Sequence, residues 1–590
     1  MKSCPRLFLP TAAACLVLAL SIACKQQETG NGAKPDVRNR TDDWCLNLPA
    51  EGEETAKGGS VAQMAMPSAP PPAPAMADTA RLGLATGGAK DAGNFRENIR
   101  RGYLPLPTDL AYEGLFYDYY FDQGPQEPCK SLFCPAYAAA VSKDPISGRE
   151  DLYLSVGLQS GLDASTFTRK KLNLVVVLDI SGSMSANFRD YYYDASGSRK
   201  QPEGEAEDKS KMQVAKESLT ALLGHLKEDD RLGVVLFDDE AYLAKPLRFV
   251  GETDVEKLKG HLLELGPRGG TNMEAGIRMG ADLFKTVANP DPAVYENRIL
   301  FLTDAMPNTG VTDPEGLLEL SRKNADRRIF TTFIGVGVDF NTELVAGISK
   351  VRGCNYYSVH SSRDFRKRLD EEFAYMVTPL VFNLRLALES PGYRILKVYG
   401  SPEADQATGE LMKVATLFPS KSVEGKVKGG IVLLKLRRTG EGGSLSLKVS
   451  WEDRSGKPGE ERRTVSPPVA GKEFYAHGGI RKAVLLTRYA DMLLNWMSDE
   501  RETAQAGGKV VCSVTPAEGI RVPETAALGR WERTSMPLAV SAPYADVFRK
   551  FRAHFAAEMA PLNDPDLKKE VEILDLLTTP KKAARVAVPD

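Results

Sequence analysis

Between residues 172 and 378 the chain alternates unbroken apolar runs with apolar residues at helical spacing. The runs predict strands at 172–178, 232–237, 298–303, 329–335 and 355–359. Between them, Met212, Ala215, Leu219, Leu222, Leu223 and Leu226 recur on one helical face. The apolar residues of 252–265, 273–286, 314–325 and 362–377 do the same. Repeated βα units whose strands are apolar throughout predict an α/β fold, a Rossmann-like doubly wound, mostly parallel sheet covered on both faces.

From Leu380 the period changes to two, with Leu380, Phe382, Leu384, Leu386 and Leu388 alternating with other residues. Further strands are expected at 431–437 and 445–451, which predicts an antiparallel, β-sandwich-like region. Upstream, Leu152, Leu154, Val156 and Leu158 form one more half-buried strand, preceded by a helix ending at Gly102 and an aromatic cluster from Phe116 to Phe121. That strand has no obvious partner before the α/β unit begins, and the strands after Leu380 need an opposing apolar face. The α/β unit is therefore expected to be inserted between two parts of one β region. Helical patterns recur around Ile480–Met497, Tyr544–Met559 and 567–577. The expected division is a signal at 1–24, a disordered Pro/Ala-rich linker at 25–92, an N-terminal segment with strands at 93–168, the α/β domain at 169–378, the sandwich-like domain at 379–470 and a helical region at 471–590. A chain of 590 residues needs more than one core in any case.

The first 24 residues change the picture of where the chain resides. Lys2 and Arg6 precede a mostly apolar stretch too short for a stable span, ending in Ser21-Ile22-Ala23-Cys24. This resembles a bacterial lipoprotein signal, with Cys24 as the acylated residue; Ser21 stands where Leu is usual. The alternative is an ordinary cleaved signal. The Pro/Ala stretch near Pro70 would extend as a semi-rigid stalk, or serve no role beyond linking. Lys25 stands where an inner-membrane retention residue would be, which favours the outer membrane of a bacterial envelope. Cys129 and Cys134 suit a local disulfide in an oxidising compartment; free thiols are the other reading.

Charge is nearly balanced, with 76 Lys+Arg against 78 Asp+Glu, which gives no case for nucleic-acid binding. Five histidines, none spaced to share a metal, leave no His-rich zinc site and no obvious Ser-His-Asp triad. Gly335-Val336-Gly337 lacks the third glycine of a dinucleotide loop, and no phosphate loop or HExxH occurs, so the chain is expected not to be an enzyme. The acidic run Asp238-Asp239-Glu240 is expected to be solvated, with an accessory cation site as the minor reading.

The chemistry concentrates after the first strand of the α/β unit, at Asp179-Ile180-Ser181-Gly182-Ser183-Met184. One carboxylate and two hydroxyls within five residues suit a small hard cation, Mg²⁺ or Mn²⁺. Pro267-Arg268-Gly269-Gly270-Thr271-Asn272 precedes a helix, and Leu302-Thr303-Asp304 ends a strand. Loops at the carboxyl ends of parallel strands share one crevice, so Asp179, Ser181, Ser183, Thr271 and Asp304 are expected to converge. The DISGSM loop, the GGTN turn and LFLTD, in this order, resemble the von Willebrand factor A domain of exported bacterial proteins. The resemblance implies a metal-ion-dependent adhesion site in which Ser181, Ser183 and Thr271 supply hydroxyls and Asp179 and Asp304 act directly or through water. It implies Mg²⁺ with an open position that an Asp or Glu carboxylate of a protein partner completes, on a membrane-tethered, non-enzymatic binding protein. The runner-up is an assembly cofactor working with an ATPase or multiprotein complex. An insertion after Ser185 carries Tyr191, Tyr192 and Tyr193 beside the site. It is either a partner-binding loop or a plain surface insertion.

Overall fold

The apolar run at 172–178 forms the strand Lys171–Asp179 inside a six-stranded sheet. The computed structural model describes residues 40–48, 81–86, 93–122, 124, 133–163, 167–186, 192–193, 199–200, 209–287, 290–304, 310–336, 344, 347–348, 350–359, 365–389, 392–401, 410–420, 422–423, 426–440, 445–465, 471–523 and 536–581. Across the sheet the order is Ala241–Phe249, Arg231–Phe237, Lys171–Asp179, Tyr295–Thr303, Ile329–Val336 and Asn355–Val359. All neighbours are parallel except the first pair. Successive side chains of one strand point to opposite faces. Leu174, Val176 and Leu178 enter one core and Val175 and Val177 the other, so the unbroken apolar run is buried on both sides. Helices Lys211–Leu223 and Val255–Glu264 cover the first face, and Met273–Asp282 and Pro314–Asp326 the second. Each begins at a capping side chain: Ser210, Asp254, Asn272 and Asp313 accept from the backbone N–H three residues on.

Three elements differ from expectation, the first being the helix expected at 362–377, which holds a π-helical turn at Lys367–Glu371 and the short helix Phe373–Met376. The edge strand Ala241–Phe249 carries Lys245 and Pro246, which hid it from a period-two reading; Pro is tolerated at a sheet edge. The helix expected at 273–286 ends at Asp282 and tightens into a 3₁₀ turn at Leu283–Thr286.

The strands on either side of the α/β unit belong to one antiparallel sheet of ten strands. Glu150–Asp163 pairs with Ile431–Arg438, placing Leu154 opposite Leu434 and Val156 opposite Val432. The α/β unit is thus inserted into a β region built from both sides of it. Beside the ten-stranded sheet, that region holds a small three-stranded one of Tyr120–Asp122, Lys426–Lys428 and Ser422–Val423. Arg81–Thr86, inside the expected linker, joins the halves of the larger sheet by pairing with Glu150–Asp163 and with Glu410–Ser420. Leu152, Leu384, Leu434 and Leu447 share its core.

Over Leu152–Val156 the strand Glu150–Asp163 is also buried on both faces, because Tyr153 faces the core under the C-terminal helices. Those helices are Gly478–Gln505, Ala542–Leu562 and Lys568–Leu577. Among the described residues, no helix is long and apolar enough to cross a membrane.

Residues 40–48 also fall in the expected linker and are packed on the α/β unit. The Cys45 N–H donates to Ala244 O at 2.8 Å, Trp44 stacks on His261 at 5.3 Å, and Lys245 pairs with Asp43 at 2.8 Å. Trp44, Leu46 and Leu48 supply the apolar contact that a Pro/Ala-rich composition conceals. The remainder of 25–92 lies outside the described residues, as do Cys24, Cys129, Tyr191 and the side chain of Cys134. Backbone at Tyr192–Tyr193 pairs with Arg199–Lys200 in a two-stranded ribbon. Among the described residues, Cys45, Cys354 and Cys512 form no disulfide.

Candidate metal centre

Asp179 ends its strand fully buried, and the chain turns at once. Its Oδ1 accepts from the Ser181 N–H at 2.8 Å, and its Oδ2 accepts from Thr303 Oγ1 at 2.5 Å. The carboxylate therefore ties the first loop to the strand that delivers Asp304. The hydroxyls follow in a chain. Ser181 Oγ lies 3.0 Å from Ser183 Oγ, which donates to Asp304 Oδ1 at 2.8 Å. Gly182 is exposed and Ser183 half-buried, so the cluster opens to solvent on that side.

Thr271 arrives on the turn before helix Met273–Asp282 and is 2% exposed. That turn is fixed from two sides. Gly182 N–H donates to Gly269 O at 3.0 Å, and Arg268 N–H donates to Ile180 O at 2.5 Å. Asp239 Oδ2 accepts from the Gly270 N–H at 2.9 Å, the Asn272 N–H donates to Asp238 O at 2.7 Å, and Asp238 pairs with Arg268 at 3.0 Å. Asp238 is buried while Asp239 and Glu240 are exposed, so the acidic run is solvated only in part, and Asp238 and Asp239 cradle the Thr271 turn. Gly269 sits at φ +64°, where an added Cβ would lie 2.9 Å from Asp239 Oδ2. The five residues expected to converge thus lie on three interlocked loops at the carboxyl ends of adjacent strands.

A sixth residue was not foreseen. Lys211 opens helix Lys211–Leu223 and points inward, with Nζ 2.6 Å from Asp304 Oδ2 and both side chains fully buried. The signal was in the sequence. Lys211 lies four residues before Ala215 and seven before Ser218, on the buried face, and a cation in the first helical turn opposes the helix dipole. Such a residue needs an anion beside it.

Burial, and then the charge of Asp304, push the Asp179 carboxyl up to about 7, against hydrogen bonds from Ser181 and Thr303. Two buried carboxylates and three hydroxyls, balanced by one ammonium, offer only hard oxygen ligands, which fits Mg²⁺ or Mn²⁺. Among the described residues no three His, Cys, Asp or Glu side chains group to hold a metal. Any ion here would rest on the hydroxyls.

Residues 174–306 match the family model for the von Willebrand factor type A domain. This stretch is a von Willebrand factor type A domain. Inter-alpha-trypsin inhibitor heavy chain H4 of Sus scrofa is 25% identical over 229 residues, 38% of this chain and 22% of that protein. The uncharacterized protein YfbK of Escherichia coli (strain K12) is 22% identical over 218 residues, 37% of this chain and 33% of that protein. The chain thus spans a third or less of the length of these curated relatives. A solved von Willebrand factor type A protein from Catenulispora acidiphila is 15% identical, with a TM-score of 0.37, covering 66% of this chain and 84% of that one. Type A domains serve in protein–protein interaction and adhesion and generally bind a divalent metal.

Proposed function

We propose that the type A domain of this chain is a metal-dependent, non-enzymatic protein-binding module. Asp179, Ser181, Ser183, Thr271 and Asp304 would hold Mg²⁺ or Mn²⁺, which in turn attracts an Asp or Glu carboxylate of the partner. The observation that carries this reading is the hydroxyl chain from Ser181 through Ser183 to Asp304, beside exposed Gly182. It brings a line of hard oxygen donors out to half-buried Ser183, while Ser181, Asp304, Asp179 and Lys211 stay buried and hold the loops in place. Few carboxylates mean an under-neutralised ion, so a partner carboxylate gains a charge-assisted contact. The Leu20–Cys24 sequence supports a lipid anchor at Cys24, and with Lys25 an outer-membrane envelope location.

The test is capture of partner protein by the mature chain in Mg²⁺ and in EDTA, alongside Ser183→Ala. Capture lost in EDTA and in the variant supports the reading. Capture equal in all three contradicts it. Labelled fatty acid should enter the wild-type chain and not Cys24→Ser; label in both, or in neither, rejects the anchor.

A further inference from the structure

A cavity of about 500 Å³ lies at the other end of the parallel sheet, where the strands begin. Lys170 immediately precedes strand Lys171–Asp179, Glu296 lies near the start of Tyr295–Thr303, and Arg328 immediately precedes Ile329–Val336. Arg454, from the turn after strand Leu445–Asp453 of the antiparallel sheet, closes the opposite wall with Phe382. The cavity therefore spans the junction between the type A domain and the sheet it is inserted into. Its size is that of a small-molecule site.

The charge of the wall is one-sided. Five lining residues are Lys or Arg and two are Asp or Glu. Some of these are already engaged, and the Lys170 ammonium donates to the Pro292 carbonyl. Arg352 pairs with Glu452 at 2.8 Å, and Glu296 accepts from Arg298 at 3.3 Å. Arg454 feels the charge of Glu296, yet its Nε and Nη2 are buried and make no hydrogen bond. Two desolvated guanidinium nitrogens without an acceptor are costly, and buried donors of this kind are rare. Lys170 reports the same excess. Burial, then repulsion from Arg454, lowers its ammonium to about 8, with Arg328 adding to the effect and Glu296 and Asp291 opposing it.

A guanidinium fork with two free nitrogens matches an oxyanion held in a bidentate grip, and a dianion suits the surplus of cations. We propose that this cavity binds a small phosphorylated molecule, with Arg454 and Lys170 gripping the phosphoryl group. The ligand would bridge the type A domain and the sheet, and it needs no metal.

Isothermal titration of the full mature chain in EDTA, with inorganic phosphate and glycerol 3-phosphate as separate probes and citrate as a third, tests this. One saturable site per chain is expected for at least one phosphate compound. Tighter binding of the ester assigns an esterified ligand; equal binding assigns free phosphate. Arg454→Gln and Lys170→Gln should each weaken binding at least about tenfold, consistent with the loss of a charged hydrogen bond. Arg454→Gln removes two buried nitrogens that make no hydrogen bond, so its thermal unfolding should stay close to wild type; Asp179→Asn should bind as wild type does. Absence of saturable phosphate binding, affinity unchanged in both cavity variants, or citrate binding more tightly than either phosphate compound overturns the proposal.

Discussion

Lys211→Met removes an ammonium paired with Asp304 and leaves two neighbouring buried carboxylates, Asp179 and Asp304, beside an apolar side chain of similar length. Lys211 Nζ and Asp304 Oδ2 are 2.6 Å apart and both side chains are fully buried. Breaking such a pair by removing one partner costs about 3–5 kcal/mol, because the remaining charge stays desolvated. The loss should be full in EDTA. A divalent ion restores positive charge at the same carboxylates. At a concentration a hundred times Kd it stabilises the loaded form by about 2.7 kcal/mol, and by more where no ammonium competes with it. Differential scanning calorimetry of wild type and variant, in EDTA and in saturating Mg²⁺, reads this directly. The type A transition of the variant should fall well below wild type in EDTA, and Mg²⁺ should close at least half of the gap. No gap in EDTA would refute the buried-pair reasoning. A gap that Mg²⁺ leaves untouched would refute the idea that metal and lysine serve the same carboxylates.

Other consequences can be checked singly. Burial raises the Glu372 carboxyl, but Arg368 and Lys428 outweigh it and hold it at about 2. The stability it contributes is present above its unfolded value near 4.5 and drains away as pH falls towards 2, so Glu372→Gln should flatten acid denaturation across that window. Gly269→Ala places a Cβ 2.9 Å from Asp239 Oδ2 at φ +64°; it should cost about 1–3 kcal/mol and weaken metal binding measurably, while Gly266→Ala, with nothing within 4 Å, should do neither. Asp43→Ala leaves the buried Lys245 ammonium without its carboxylate, and urea denaturation should show a loss of about 3–5 kcal/mol. A loss under about 1 kcal/mol there would mean that residues 40–48 rest on the domain without supporting it.

The α/β domain was legible because its strands are apolar throughout and its helices keep a clean spacing; all five strands expected from pattern occur. Its sixth strand was not, since Lys245 and Pro246 break the alternation and the ammonium of Lys245 is rescued by Asp43, 202 residues away in sequence. The insertion was legible from an apolar face left without a partner at 152–158. The strand Arg81–Thr86 that completes the sheet was not, because it sits in a segment whose composition reads as linker. Within the site, motif residues could be named because each carries a hydroxyl or carboxylate oxygen that suits a hard cation. The roles of Lys211, Asp238 and Asp239 escaped because these side chains act on those residues and their loops. Only the convergence of three loops gives the acidic run its task of holding the Thr271 turn.

The most direct measurement is Mn²⁺ binding to the mature chain, followed by electron paramagnetic resonance, for wild type and Asp179→Ala. Asp179 lies at a strand end, outside both apolar cores, so circular dichroism should show the variant folded. One Mn²⁺ per wild-type chain, displaced by Mg²⁺ and lost in the folded variant, is the expected result. Mn²⁺ bound equally by both proteins, or by neither, would contradict a metal centre at Asp179, Ser181, Ser183, Thr271 and Asp304.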